Sequence, residues 1–528
     1  MTTQKKIWQP LLFSITLIIG MMLGYKMKDN MPGKDFFQLD KPKPLQEVMD
    51  LINSKYVDAV QAASLSDTAI MAILGKLDPH SVFIAKEDLQ QVNEDMVGSF
   101  FGIGVEFNVL EDTLNITNVI PDGPSFKAGI QTGDQFIKVN DSSIAGKKIS
   151  AEQIRKLLRG ELGSTVKIEL LRNQQKVNTT ITRGVIPVSS VDAAYMVDAT
   201  TGYLRLNKFS QTTYREFMIN LEQLQKKGLK SLILDLRGNG GGILDEATSI
   251  ADEFLDGDKL ITYTEGKHFP RKEYRCKREG LFEKGKLVVL ADEGTASASE
   301  ILIGALQDWE RATIIGRRSF GKGLVQEQYD LTDGSALRLT IARYYTPLGR
   351  SIQRPYDKGG KAYYEEIGKR YEAGEVYHAD SIKNDTSKVF LTRSGKKVYG
   401  GGGITPDVYV AVDSGNFSKT SAQIYAHGTI SAFAYKYYVQ HKAQLKAFTT
   451  VAQFAQQFQW NNADWDAFAA YAQKDSINIS LIKGVEKIDV IQHIQASIAR
   501  HIWRNNGYFE MLNKQDHTVQ KALETVAR

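Results

Sequence analysis

Hydrophobic and polar positions follow several different rhythms along this chain, and each predicts a different kind of structure. Residues 7–25 are apolar and uncharged, with a core at 11–19, and Lys5, Lys6, Lys26 and Lys28 flank them. At about 1.5 Å per residue, a helix of that length just crosses a bilayer. Residues 29–42 are polar, with Pro32, Gly33 and Pro42, and predict a tether. Over 45–97, Leu45, Val48, Met49 and Ile52 recur at helical spacing, and Leu77-Asp78-Pro79-His80-Ser81 interrupts that region as a turn. From 98 to 185 the pattern shortens into strands, at 102–107, 114–119 and 166–171, with a helix at 151–158. Residues 186–415 alternate strands with helices, which predicts an α/β core. Within it, 231–236 is a buried-strand pattern that ends in Arg237-Gly238-Asn239-Gly240-Gly241-Gly242, and Leu244, Ala247, Ala251 and Phe254 then share a helix face. A second strand at 287–290 leads to a helix at 297–306. Residues 416–528 turn helical and rich in Ala, Gln and aromatics such as Phe433, Tyr437, Phe454, Trp460 and Trp465. The expected architecture is a multidomain α+β chain divided at 1–28, 29–97, 98–185, 186–415 and 416–528.

Composition narrows the function. At 528 residues the chain is too long for one ordinary domain, and 42% hydrophobic with 24% charged residues excludes wholesale disorder. The balance of 66 Lys+Arg against 61 Asp+Glu is too weak for an electrostatic nucleic-acid binder, so no nucleic-acid partner is expected. A single cysteine, Cys276, excludes an internal disulfide, an all-cysteine zinc site and an iron–sulfur cluster. The eight histidines are scattered, so no metal is expected. The basic start and apolar run at the N-terminus fit a cleaved signal peptide as well as an anchor. No small-x-small cleavage pattern follows the run, which favours an uncleaved membrane anchor. Lysines on both flanks leave the charge rule indecisive. A six-residue tail left in the cytoplasm puts the bulk of the chain in the periplasm, anchored to the inner membrane, or free in the periplasm if the segment is cleaved.

Three segments carry chemistry. Gly294-Thr295-Ala296-Ser297-Ala298-Ser299-Glu300 joins a strand to a helix. A serine there is ordinarily an N-cap. The same placement aims the Ala298 N–H and the helix dipole at an oxyanion formed beside Ser297. Gly316-Arg317-Arg318-Ser319-Phe320-Gly321-Lys322-Gly323 resembles a phosphate loop on the surface. Gly323, however, stands where a magnesium-binding Ser/Thr is needed, and a strand follows instead of a helix. Lys322 is either a solvent-facing loop lysine or one pointed inward. The glycines at 238–242 are either a tight turn or a cluster of free N–H groups for an anion. His268 and His378, the histidines nearest Ser297 in sequence, lie in no histidine-protease signature, and no G-x-S-x-G elbow occurs. A Ser297–Lys322 dyad accounts for the residues better. It requires the lysine pKa to fall from about 10.4 to roughly 7–8, at about 4 kcal/mol of desolvation. Gln326, four residues on and on the same strand face, can hold the amine without adding a charge that would raise its pKa again.

Two resemblances add to this reading. The run from Gly123-Pro124-Ser125-Phe126-Lys127-Ala128-Gly129-Ile130 through Gly133-Asp134 to Val139-Asn140 resembles a PDZ domain. Such domains take a peptide tail as an added strand, and the resemblance implies Phe101, Gly102, Ile103 and Gly104 as the tail-binding turn. The whole of 45–412 resembles the carboxyl-terminal processing (tail-specific) proteases. The matching residues are the 77–81 turn, Asp235 to Gly242, Thr295 to Glu300, Ser319 to Gly323, Gln326, Ala342 to Gln353 and Gly402 to Val408. The resemblance implies a crotonase-like α/β protease core, with Ser297 as nucleophile, Lys322 as general base and Gln326 as its orienter. It also implies Ala298 with Gly240 or Gly241 as oxyanion hole, Glu300 and Ser319 as supports, and Arg159 as a gate between tail binding and the active site. No cofactor, metal or nucleotide is implied, and the partners are proteins with accessible C-terminal tails. Residues 416–528 have no residue-level match and are expected to cap the core or to form a homo-oligomer. The rivals are a non-catalytic peptide binder or scaffold of the same architecture, and a histidine-triad serine protease.

Overall fold

The computed structural model describes residues 5–28, 44–385, 387–412 and 418–528, and the tether expected at 29–42 lies outside them. The chain forms two compact units, Met1–Ile73 and Leu74–Arg528. The first holds the helices Lys5–Lys28 and Pro44–Lys55. The second of these buries none of its residues, and Leu45 and Val48 are exposed. Among the described residues no helix is long and apolar enough to cross a membrane, so the span expected over 7–25 is not found.

The larger unit opens with a short strand, Val82–Ile84, that the hydrophobic pattern did not predict, and with the helix Lys86–Val97. A β module follows. Its sheet runs in the order Val105–Leu110, Thr113–Val119, Gln135–Val139, Thr165–Arg172, Gln175–Thr182. The helix Ala151–Leu158, started by a Ser150/Gln153 capping box, presses Ile154 and Leu158 onto Ile116, Phe136 and Ile168. The glycine-punctuated strand entry expected at 102–107 spans the end of one strand, Ser99–Gly102, and the start of the next, Val105–Leu110. Ser99–Gly102 pairs with Gly184–Pro187 in a separate ribbon, and the chain changes sheet at Gly104. Gly104 has φ +77, and an added Cβ would meet Ile186 at 3.0 Å, so the corner needs glycine.

The α/β core is one sheet in the order Val191–Met196, Thr201–Leu206, Ser231–Asp235, Lys286–Ala291, Thr313–Gly316, Val408–Tyr409. Only the first pair is antiparallel. Near-continuous apolar strands such as Ser231–Asp235 suit a sheet buried on both faces. One face packs on the helices Thr213–Lys226, Leu244–Asp252 and Ala298–Asp308 through Leu234, Phe254 and Leu302. The other packs on the C-terminal helix His517–Ala527, where Val519 and Ala522 meet Ile233 and Val288. Because the central strands are parallel and in register, their ends at Asp235, Ala291 and Gly316 fall on one edge. The loops that leave that edge are the three singled out above, which is where open α/β sheets place their sites.

A second sheet carries Leu324–Asp330 against Ala336–Tyr345, with Val82–Ile84 and Leu260–Glu265 also paired to Ala336–Tyr345. The helices Lys419–Ala426, Thr429–Leu445, Val451–Gln457, Asn462–Gln473 and Gly484–Leu512 enclose a core of their own. The aromatics behind the expected self-association are spent inside it. Phe433 meets Phe468 edge-on at 5.2 Å, and Phe454 meets Trp503 at 5.8 Å.

Candidate active site

The helix Ala298–Asp308 is buried along its whole length, and Ser297 immediately precedes it at φ 57°, ψ −117°. A non-glycine residue there stores on the order of 1–3 kcal/mol, and its surroundings must over-determine it. They do. Thr295 Oγ1 donates to Leu236 O at 2.9 Å, Ala296 N–H donates to Asn239 O at 3.0 Å, and Ser297 N–H donates to Glu300 Oε2 at 2.9 Å.

Glu300, wholly buried, is the hub. Its Oε2 also accepts Lys322 N–H at 2.8 Å, while Oε1 accepts Gly321 N–H at 2.7 Å and the Ser319 hydroxyl at 2.5 Å. Burial pushes its carboxyl up to about 7, against the pull of those four donors. Ser319 is itself pinned, because its Oγ accepts Ile404 N–H at 2.6 Å. On the opposite edge the hydroxyl of buried Tyr344 donates to Lys322 O at 2.6 Å and leans toward Ser297 O at 3.0 Å. The peptide units at 297 and 322 are thus tied together twice, through one carboxylate oxygen and one phenol oxygen.

Lys322 is half-buried, and its Nζ donates to Gln326 Oε1 at 2.9 Å. Gln326 Nε2 donates to the carbonyl of His80, which fixes the amide with its oxygen toward the amine. Asp78 shapes that turn by accepting the N–H groups of His80 and Ser81 at 2.8 and 2.9 Å. Burial lowers the Lys322 pKa from its ordinary value and the Arg338 charge adds to this, while Glu300 and Asp78 oppose it. Burial, helped by Lys322, lowers His80 to about 4, so its ring is neutral at pH 7. Among the described residues no hydrogen bond joins Lys322 Nζ to Ser297 Oγ; the amine is turned to Gln326. His268 and His378 are exposed and bond to neither residue.

The glycine loop closes the other side. Gly241, at φ +95, lies so close that an added Cβ would sit 2.7 Å from Ser297 Cβ and 2.8 Å from Ala298 N. Its own N–H is taken by Asn239 Oδ1 at 2.9 Å. Among the described residues the N–H groups of Gly240 and Ala298 donate to no protein group, so of the two loop glycines Gly240 has the free donor. The loop stands on Asp235, which is buried and accepts from Arg237 at 2.7 Å, Arg205 at 3.0 Å and the Tyr203 hydroxyl at 2.7 Å. Burial alone would raise the Asp235 carboxyl, but the two arginines outweigh it and hold it well below the usual range.

In the β module, strand Val105–Leu110 and helix Ala151–Leu158 enclose a groove of about 550 Å³ lined by Phe100, Ile103, Val105, Phe107 and Leu158. Gly102 and Gly104 also line it, and the N–H groups of Ile103 and Gly104 have no protein acceptor among the described residues. Phe101, expected there, is not in the lining. Strand alternation turns it outward and brings Phe100 in. Arg159 lies over the Phe100 ring at 4.3 Å and pairs with Glu94 at 2.8 Å, which joins the groove to the helix Lys86–Val97.

Among known sequences, Peptidase family S41 matches residues 200–358 and the PDZ domain matches 102–182. A probable CtpA-like serine protease of Staphylococcus haemolyticus is 33% identical over 418 residues, which cover 74% of this chain and 83% of that protein. This chain belongs to the S41 carboxy-terminal processing proteases. Two further S41 relatives are similar to it. The carboxy-terminal-processing protease of Bartonella bacilliformis is 33% identical over 66% of this chain and 84% of its own. The carboxy-terminal processing protease CtpA of Bacillus subtilis is 34% identical over 63% and 73%. Of solved structures, the photosystem II D1 C-terminal processing protease is 27% identical over 70% of this chain and 86% of its own, with a TM-score of 0.37.

As an S41 enzyme the protein is a serine-type peptidase with a PDZ domain. Part of its site lies beyond the matched stretch. The helix Gly360–Glu372 supplies Arg370, which donates to Ser319 O at 2.8 Å behind the lysine loop, and Tyr363, whose hydroxyl is 2.9 Å from His80 Nε2. Tyr344, His80, Asp78 and Arg338 were not singled out from the sequence. Tyr344 and the 77–81 turn lay in matched motifs, but nothing local marked what they touch. Residues 421–505 match a family of unknown function.

Proposed function

We propose that this S41 peptidase removes or cuts unstructured C-terminal tails of envelope proteins, with Ser297 as nucleophile and Lys322 as general base. A tail adds as a strand beside Val105–Leu110, with its carboxylate on the N–H groups of Ile103 and Gly104. The chain then reaches the loop edge of the core. Ser297 Oγ attacks a peptide carbonyl while Lys322 Nζ takes its proton, and the N–H groups of Gly240 and Ala298 receive the developing oxyanion. Lys322 returns the proton to the leaving amine. Water then enters and gives a proton to the lysine amine as its oxygen bonds the acyl carbon; the ester bond to Ser297 Oγ breaks, and the amine returns that proton to the serine oxygen.

The observation that carries this reading is the bridging of Ser297 N–H and Lys322 N–H by a single oxygen of Glu300. With the two backbones so tied, a lysine stem is long enough to reach the hydroxyl. The amine rests on Gln326, and catalytic hydrogen bonds often tighten only in the complex with substrate. Burial, which lowers the lysine pKa, is what a neutral base requires.

The test is incubation of a tailed protein followed by mass analysis of its fragments. Ser297→Ala and Lys322→Ala each give no fragments while tail binding is retained, and His268→Ala and His378→Ala cleave normally. Cleavage by Ser297→Ala at the native rate would refute the dyad. We further propose residence in the cell envelope, held there by residues 7–25. Support comes from the helix Lys5–Lys28, where Phe13 is 78% and Met22 70% exposed in the unaccompanied chain. Fractionation of a deletion lacking that helix checks it, and an unchanged membrane fraction overturns it.

A further inference from the structure

We propose that residues 418–528 are a brace that holds the PDZ groove at a fixed bearing to Ser297, so that the enzyme cuts at a set number of residues from the docked tail. This rests on the proposed function and goes beyond it, because it assigns a role to the segment that matches only a family of unknown function.

In sequence the PDZ domain reaches the core sheet through the ribbon of Ser99–Gly102 with Gly184–Pro187. Two short strands make a hinge, and a domain on a hinge raises local substrate concentration without fixing which bond arrives at the nucleophile. The C-terminal helices cross that hinge and are bonded on both sides of it. On the PDZ side, Arg500 and Arg504 each take one oxygen of Glu106, at 3.0 and 3.2 Å, and Glu106 lies on the groove strand Val105–Leu110. Lys442 Nζ donates to Thr132 O at 3.0 Å, and Lys474 pairs with Glu111 at 2.8 Å.

On the core side, Asn506 Oδ1 accepts Ala194 N–H at 2.8 Å and Asn505 donates to Asp192 at 3.2 Å. Asn513 donates to the Tyr195 hydroxyl at 2.7 Å. Asp516 accepts Arg237 Nη1 at 2.7 Å, directly before the glycines beside Ser297. The two sets of contacts meet within residues 500–506 of one helix, Gly484–Leu512, which bends where Trp503 and Arg504 leave helical geometry. Arg504 sits at φ 58°, a conformation held only where neighbours over-determine it, and here Glu106 of the PDZ domain holds its guanidinium while the next two residues, Asn505 and Asn506, bond the core. Phe509 continues the helix onto the buried cluster of the sheet, so the core end is anchored by packing as well as by polar bonds.

The experiment uses the full chain and a series of substrates in which a common tail follows a uniform unstructured stretch, with cut positions read by mass spectrometry. The wild type cuts at one dominant spacing from the C-terminus. In the double variant Arg500→Glu/Arg504→Glu the cuts spread over several positions. Its kcat/KM for tailed substrate falls at least about tenfold, as expected when a fixed geometry is replaced by a loose tether. A short peptide without a tail is cleaved at the wild-type rate, and free-tail affinity is unchanged. Adding Glu106→Lys to the double variant restores the single spacing, which separates pairing from misfolding. Scattered cuts in the wild type, a single sharp cut in the double variant, or an equal loss on the tailless peptide would each overturn the brace. Failure of the dyad reading looks different, since cleavage would then persist in Ser297→Ala.

Discussion

Replacing Tyr344 by Phe deletes one oxygen from the site and little else. The ring is in the buried core and its shape is retained, so no cavity opens. What is lost is the O–H bond to Lys322 O at 2.6 Å and the weaker approach to Ser297 O at 3.0 Å. Ser297 O keeps two other donors, Glu300 N–H at 2.8 Å and Ile301 N–H at 3.0 Å, so the deficit falls on the lysine's carbonyl. A net hydrogen bond is worth about 0.5–1.5 kcal/mol, and a buried carbonyl left without a donor costs about 1–3 kcal/mol. The expected destabilisation is therefore about 1–3 kcal/mol, read as a lower urea midpoint at unchanged slope. The catalytic effect is larger. The lysine's peptide is then held on one edge alone, and a displacement near 1 Å costs about a hundredfold in kcat. KM for a tailed substrate stays put, because the groove is untouched. Burial holds the phenol pKa well above its ordinary value, so the hydroxyl stays protonated and the deficit in kcat is the same across the neutral range. A variant that loses stability yet keeps its kcat would show that the phenol braces the core without aligning the dyad.

Lys322→Met exchanges a partly desolvated amine for an apolar chain of similar length. The folded pKa is depressed by burial, so the folded state is penalised while the amine is charged. The variant is accordingly more stable than the wild type at neutral pH, and the difference shrinks as pH rises through the folded pKa toward the ordinary lysine value. Thermal melts from pH 6 to 10 check this, alongside a loss of activity of about a thousandfold or more. In the wild type, kcat/KM rises with pH along an acid limb set by the lowered lysine pKa, and a flat profile would contradict that base. Gly241→Ala drives a methyl to within 2.6 Å of Ala296 O and 2.7 Å of Ser297 Cβ at φ +95. It is expected to cost about 2–4 kcal/mol and to reduce kcat by about a hundredfold; near-native activity would mean the loop does not abut the nucleophile.

The legible parts of the site were the local ones. Apolar runs bounded by glycine marked the strands that end at Asp235 and Ala291, and the four-residue spacing of Lys322 and Gln326 forecast the bond between them. What escaped were partners far away in sequence. Gln326 meets the His80 carbonyl across 246 positions, and Tyr344 meets Ser297 across 47. No periodicity encodes such pairs. The choice between Gly240 and Gly241 was equally closed to reading, because it depends on which N–H the Asn239 side chain captures. The C-terminal helices were foreseen from composition, but the surfaces they cover were not, since amphipathic faces do not name their neighbours.

The arginine that leads into the glycine loop is gripped by Asp516, only a dozen residues from the last residue of the chain. The peptide carrying the lysine's amide partner is gripped near the other end, at His80. The loop edge beside Ser297 is therefore clamped from two distant parts of the sequence, and cutting the chain ahead of Asp516 would loosen the arginine that leads into the glycines while leaving every residue of the loop in place.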